Sequence, residues 1–162
     1  MDRDLTNMTC VMRDLYGKPG HLIRRAHQAS SALFTEECAE FDLTSVQYAA
    51  LVAIGENPGV DATRLAALIA FDRSTIGDVL ERLEAKGWVL RTPSPTDKRV
   101  KLLRLSPEGA EVLRRVGPAV NRVQERLLAP LAPADRVTLV RLLAQLAGLR
   151  DVVTPETLGT AA

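Results

Sequence analysis

Phenylalanine, tyrosine and tryptophan together make up only 4% of this sequence. A core so poor in rings has to be filled by aliphatic side chains, and the 46% hydrophobic residues, rich in Leu, Ala and Val, supply them. Cysteine is as scarce: Cys10 and Cys38 form neither a CxxC pair nor a Cys/His ligand cluster, which excludes a disulfide framework and a zinc module. No apolar run of about 18 residues exists, so no membrane-spanning helix is expected. The N-terminal MDRDLTNMTCVMRDLYGKPG alternates charges and does not read as a secretory signal. The expectation is a soluble, cytoplasmic protein with no membrane partner. GxSxG, a phosphate loop, a metal cluster and a catalytic carboxylate pair are all missing, so neither an enzyme nor a cofactor or metal is expected. A net charge of +1 excludes a globally basic polyanion binder. Only a local concentration of charge can make one.

What is present is helical patterning with one interruption. Leu/Ala/Arg/Glu richness favours helices, and 162 residues fit one domain with an added helical part. After an arm over residues 1–17, Pro19 suits a first helical turn, and Leu22, Ala26, Ala29 and Leu33, with Ile23 and Phe34, mark an apolar face running to about Phe41. Thr44, with Gln47 three residues on, reads as a capping box for a second helix from Ser45 to Glu56. Asp61 or Thr63 caps a short third helix, Arg64 to Ala70. Ser74 or Asp72 caps a fourth that stops at Gly87. In that fourth helix Ile76, Leu80 and Leu83, with Val79, face inward, and Thr75, Asp78, Arg82 and Lys86 face outward. Two strands follow, Trp88–Thr92 and Val100–Leu105, joined by a turn from Pro93 to Arg99. A fifth helix opens at Ser106-Pro107-Glu108-Gly109 and runs to about Leu128. A sixth spans Ala134 to about Leu149, and the tail from 151 to 162 reads as poorly ordered.

The hairpin carries Arg91, Lys98, Arg99, Lys101 and Arg104 against Asp97 alone. It follows a short helix, a turn and a second helix. That order is a helix-turn-helix with a wing: the second helix is slim enough for the major groove, and the wing sets cations against phosphates or the minor groove. The fold class is therefore mainly α with a small β wing. A winged helix-turn-helix lobe covers about 44–105, and a helical region at about 18–41 and 106–149 completes a single domain over 18–150.

These stretches resemble the MarR (multiple antibiotic resistance regulator) family of winged-helix transcription factors. The resemblance rests on Leu65-Ala66 and Leu68-Ile69-Ala70, on Arg73-Ser74-Thr75, and on LERLEAKGWVLR over 80–91. It continues in Asp97-Lys98-Arg99, Leu102–Leu105 and Glu108-Gly109, so that it covers roughly 18–148. It implies a homodimer whose first and last two helices interlock, bound to a pseudo-palindromic double-stranded DNA operator. The apolar residues of the terminal helices, Val112, Leu113, Val116, Leu142 and Leu146 among them, point the same way, since they exceed what one small lobe can cover. On this resemblance Arg73, Ser74, Thr75, Asp78 and Arg82 are DNA-binding positions of the fourth helix, and Asp97, Lys98, Arg99 and Lys101 those of the wing. Arg99 reaches the minor groove, with Asp97 buttressing it. Asp78 accepts from a cytosine amino group or orients a neighbouring Arg. Arg82 contacts phosphate or pairs with Asp78 at i, i+4.

The segment GKPGHLIRRAHQ over 17–28, with FTEECAEF over 34–41 and Gln47-Tyr48, is similar to the branch of that family controlling aromatic-acid catabolism. It implies a repressor released by a small anionic aromatic effector or its coenzyme A thioester. The chemistry is coherent: Arg25 clamps a carboxylate, His21 and Gln28 share its helix face, Arg24 lies beside it, and Tyr48 meets a ring or a phenol oxygen. The alternative is that Arg24, Arg25 and His27 pair with Glu36, Glu37 or Glu40 across the dimer. Glu108-Gly109 is a candidate pivot between wing and fifth helix. Thiol-based redox sensing through Cys38 or Cys10, and a winged-helix module that binds proteins, are the rival readings of function; the basic wing argues against the latter.

Overall fold

The structure, a computed structural model, describes residues 12–149. Cys10, most of the expected arm and the expected tail lie outside them. The chain divides into two compact units, with the boundary between Val123 and Gln124, where the sequence suggested a single domain over 18–150.

In the first unit residues 12–16 are already helical, so the last part of the expected arm is not a loose segment. Gly17 and Lys18 break this turn, and Lys18 pairs with Asp14 at 3.1 Å. Helix α1 spans Pro19–Glu37, opening on the proline as expected. A 3-10 turn, Ala39–Phe41, continues it, and Asp42 then turns the chain in the left-handed region at φ 47°. Asp is one of the few residues with a side chain that visit this region readily. The capping box of α2, Ser45–Glu56, forms as expected: Gln47 N–H donates to Thr44 Oγ1 and Thr44 N–H donates to Gln47 Oε1.

A short strand that the sequence did not reveal, β1, Val60–Asp61, follows Gly59. Two residues are too few for an alternating pattern, and its partner lies forty residues away: Val60 pairs with Leu103 and Asp61 with Leu102. Asp61 then caps α3, Ala62–Leu68, accepting from the N–H groups of Thr63 and Arg64. Helix α4 spans Ile76–Ala85. Gly87, at φ +72°, ends it, and Trp88 N–H closes on Leu83 O. The wing strands are β2, Val89–Pro93, and β3, Lys101–Leu105, in an antiparallel sheet of order β1-β3-β2. Helix α5, Pro107–Leu128, holds Pro118 in its interior. The second unit carries α6, Pro133–Leu146, which stops short of the expected Leu149 because Gly148 turns left-handed and Leu149 N–H reaches back to Ala144 O.

The core of the first unit is aliphatic, as the shortage of rings requires. Leu51, Ile54, Leu65, Leu80, Leu83, Val89, Leu103, Val116 and Val123 are fully buried. The inward face read for α4 is correct: Ile76, Leu80 and Leu83 are all buried. The apolar face of α1 is different. Only Phe34 is buried, while Leu22 and Ile23 are 49% and 48% exposed.

The wing meets α5 at a close backbone contact, at the candidate pivot Glu108-Gly109. Ser106 Oγ donates to Gly87 O at 2.6 Å and accepts from Gly109 N–H at 2.9 Å. A Cβ on Gly109 would lie 2.1 Å from the Trp88 carbonyl oxygen, so only glycine fits. Replacing Gly109 with alanine should therefore lower unfolding stability by about 2–4 kcal/mol. Gly77→Ala, which meets nothing within 4 Å in α4, should raise it by up to about 1 kcal/mol. Urea unfolding of both variants checks this, and equal stabilities would mean that the Trp88–Gly109 contact yields.

Candidate nucleic-acid interface

Helix α4 presents one face inward and leaves the other to solvent. Asp78 and Arg82 lie on its exposed side. Arg73, Ser74 and Thr75 are exposed too, but they form the turn before the helix rather than its first turn. Asp72 builds that turn. Its carboxylate accepts from Ser74 N–H at 2.7 Å and from Ser74 Oγ–H at 2.8 Å, and its carbonyl accepts from the N–H groups of Thr75 and Ile76. Neither residue considered from sequence is the N-cap: that position is Thr75, with no side-chain cap bond, and Asp72 instead shapes the turn before the helix. The bond from the Ser74 N–H, then that from its hydroxyl, holds the Asp72 carboxyl below the usual carboxylate range. The result is a hydrogen-bonded turn that sets three small or cationic side chains at the tip of the helix.

Arg82 makes no ion pair with Asp78 among the described residues, which leaves its guanidinium available on the surface. Lys86 does not face outward as expected. Its ammonium is turned back onto Asp42, donating to the carboxylate at 2.7 Å and to the Asp42 carbonyl oxygen, with the Trp88 ring 4.7 Å away. This lowers the Asp42 carboxyl pKa, chiefly through the hydrogen bond itself.

The wing sorts its cations into two groups. Lys98, Arg99 and Lys101 are exposed at the turn and at the start of β3. Arg91 is turned inward, its Nε 3.0 Å from Glu84 Oε2 on α4, a contact of charges not aligned as a hydrogen bond. Arg104 lies along the turn at Gly59. Arg91, Arg99 and Lys101 nevertheless line one hollow of about 450 Å³ with Asp61, Thr63 and Leu80, which concentrates positive potential where wing, β1 and α4 converge. Asp97 does not grip the Arg99 guanidinium. Its carboxylate accepts from the Arg99 backbone N–H at 2.9 Å, and its carbonyl from Val100 N–H, so it shapes the turn that carries Arg99. Ser94, buried beneath the same turn, completes it by donating its N–H to Val100 O and by contacting Thr96 Oγ1 at 3.0 Å.

The expected effector residues are only partly brought together. His21 and Arg25 converge with a residue that the sequence did not single out, Tyr16. The Tyr16 and His21 rings are 5.6 Å apart, and the Arg25 guanidinium lies 5.8 Å from the Tyr16 ring centroid. Tyr16 was hidden because residues 1–17 read as an arm. His21 Nε2 is buried with no hydrogen-bond partner among the described residues. Arg24 and Gln28 are exposed on the same helix. Tyr48 does not join them. It is half-buried against Phe34, with ring centroids 6.0 Å apart, and Phe34 lies nine residues beyond Arg25, about 13 Å along α1. Burial, then the neighbouring Cys38, pushes the Tyr48 phenol up.

Cys38 is buried, and burial followed by the nearby Glu37 raises its thiol pKa, so little reactive thiolate is present near neutral pH. Among the described residues no group of His, Cys, Asp and Glu is placed to hold a metal ion, and no helix is long and apolar enough to cross a membrane.

Comparison with known proteins fits this arrangement. Residues 43–101 match the MarR family model, a span running from the start of α2 to the start of β3. The chain is 31% identical to the HTH-type transcriptional repressor NicR of Pseudomonas putida, over 80% of this chain and 82% of that one. Among solved structures it is similar to BpsR of Bordetella bronchiseptica, described in a study of the regulation of its DNA binding by 6-hydroxynicotinic acid (TM-score 0.76, 29% identity, 81% of this chain and 94% of that one). It is also similar to the transcriptional repressor CouR bound to a 23-mer DNA duplex (TM-score 0.77, 31% identity, 84% and 96%). With the exposed α4, the Asp72 turn before it and the cationic wing, this likeness over four fifths of its length shows that the chain belongs to the MarR family of winged-helix transcriptional regulators.

Proposed function

We propose that this regulator is a homodimeric repressor that binds a pseudo-palindromic operator and leaves it when a small aromatic carboxylate binds. The observation that carries the reading is the pairing of the exposed face of α4 with the exposed cations at the wing's turn and the start of β3, Lys98, Arg99 and Lys101. Arg73, Ser74 and Thr75 read base edges at the helix tip, Asp78 and Arg82 flank them, and Arg99 enters the adjoining minor groove. The repressor named NicR and the DNA-bound CouR support this direction of action.

Dimerisation is supported by surface that one chain leaves bare. In the first unit Met12, Leu15, Tyr16, Leu22 and Ile23 are exposed; in the second, Val137, Leu142, Leu143 and Leu146 are. Apolar clusters of this kind on terminal helices mark an interface. A two-fold dimer also explains a palindromic operator, since each α4 meets one half-site. A regulator of chromosomal genes acts in the cytoplasm, and nothing in its chemistry calls for catalysis.

For the effector, the Tyr16–His21–Arg25 cluster offers what an aromatic carboxylate needs: a guanidinium, an imidazole nitrogen without a partner, and a ring to stack on. BpsR, whose DNA binding is described as regulated by 6-hydroxynicotinic acid, supports the ligand class.

Two measurements test the reading. Fluorescence anisotropy with the chain's own upstream duplex at two salt concentrations should show Arg99→Ala weakening binding by about tenfold or more and shortening the salt slope by about one, with the dimer intact. Unchanged affinity would remove Arg99 from the interface. The same assay with a panel of benzoates, hydroxycinnamates and their coenzyme A thioesters should show Arg25→Ala binding operator normally while no longer being released. A normal release would move the carboxylate clamp to another residue.

A further inference from the structure

The chain has four lysines, and two of them are engaged. Lys18 pairs with Asp14 and Lys86 with Asp42. Lys98 and Lys101, both on the wing, have no ion pair or side-chain hydrogen bond among the described residues. They are not equivalent. Lys98 stands on the turn, whereas Lys101 lines the hollow of about 450 Å³ where wing, β1 and α4 converge, a volume within the range of small-molecule sites. The strand register explains the difference. Arg91 pairs with Leu103 and Pro93 with Lys101, so Arg91 and Lys101 are diagonal neighbours on one face of the sheet, roughly 7–8 Å apart at their backbones.

The hollow has the donors for a phosphate group. Arg91 Nη2 is buried with no acceptor among the described residues, a costly state that an incoming oxyanion relieves. Arg99 lines the same hollow, exposed and with its guanidinium unpaired among the described residues. Asp61 is the acid of the lining, and its Oδ1 is committed to the N–H groups of Thr63 and Arg64 at the start of α3. Glu84 offsets the charge of Arg91 from α4. Three cations thus stand against two acids, and of the three only Lys101 carries a nucleophilic nitrogen.

We propose that Lys101 is a site of covalent acylation by small acyl phosphates, whose phosphate group is held by Arg91 and Arg99. An acyl phosphate is compact: its reactive carbonyl is bonded through one oxygen to the phosphorus, so a phosphate seated on the two guanidiniums leaves the carbonyl beside the lysine. The neutral amine attacks the carbonyl carbon. An N–C bond forms, the C–O bond to phosphate breaks, and inorganic phosphate leaves with the electron pair and takes up the proton that the amine gives up. The arginines stabilise the charge that gathers on the departing phosphate. The amide that remains has no positive charge, so the wing loses a cation and, as an operator-binding surface, loses affinity. That last consequence rests on the regulator reading. The acyl transfer does not, so a reaction without DNA tests it alone.

The experiment treats the full chain with acetyl phosphate and follows each lysine over time by peptide mass spectrometry. Lys101 should be acetylated about tenfold or more faster than Lys98. N-acetylimidazole, an acyl donor without a phosphate, should show no such preference between the two wing lysines. Excess inorganic phosphate should slow Lys101 towards the rate of Lys98, and so should Arg99→Gln, at an exposed turn position. Equal rates at Lys98 and Lys101 with acetyl phosphate would overturn the proposal. So would the same Lys101 preference with N-acetylimidazole, or a preference undiminished both by excess phosphate and in Arg99→Gln.

Discussion

Everything this fold does depends on keeping α4 still while half of it faces water. A helix of ten residues is marginal by itself, and its outer face contributes nothing to its own stability. The inner face has to supply the hold, and Ile76, Leu80 and Leu83 do so by burying against the aliphatic core. Both ends are then tied separately. Asp72 closes the approach at the start with hydrogen bonds to Ser74. At the far end Gly87 stops the helix, Glu84 faces Arg91 on β2, and Lys86 reaches across to Asp42. Each tie is modest. Together they leave α4 no freedom independent of the wing or of the α1–α2 corner.

That arrangement explains why the hairpin's charge is divided. A wing carrying only outward cations would be bound to the lobe solely through its strands. Arg91 instead spends its charge on Glu84 and packs the wing against α4, while Lys98, Arg99 and Lys101 remain for a polyanion. The turn needs an acid for a structural reason as well. Asp97 satisfies the Arg99 backbone N–H, so the residue whose side chain must reach outward has its main chain fixed. The lone acid of the hairpin is therefore part of the same device as its cations.

The sequence made legible whatever depends on local chemistry. The Thr44–Gln47 capping box, Pro19 at the start of α1, Gly87 at the end of α4 and the inward face of α4 all follow from neighbours a few residues apart. What stayed hidden depends on long-range pairing. β1 is two residues whose register is set by β3. Lys86 reads as an outward lysine until Asp42 arrives from forty-four positions away. Arg91 reads as one more wing cation until Glu84 is seen beside it. Tyr48 and Arg25 both look suited to an aromatic acid, but spacing along α1 separates them, and Tyr16 takes the place beside His21.

The corner at Asp42 and the joint at Gly109 hold the α4 region in different ways. At Gly109 the Trp88 carbonyl approaches the backbone so closely that no side chain fits. Asp42, by contrast, holds a left-handed conformation that costs an ordinary residue roughly 1–2 kcal/mol, and its carboxylate is exposed to solvent while gripping Lys86. The contact ties the α4 terminus to the α1–α2 corner at a point open to solvent. Because depressed carboxyl groups contribute stability above their unfolded pKa and lose it as pH falls through the folded one, the Asp42–Lys86 tie is fully formed near neutral pH and is lost only as pH falls through the depressed Asp42 pKa. Near neutral pH the tie therefore holds the end of α4 to the α1–α2 corner without depending on a proton.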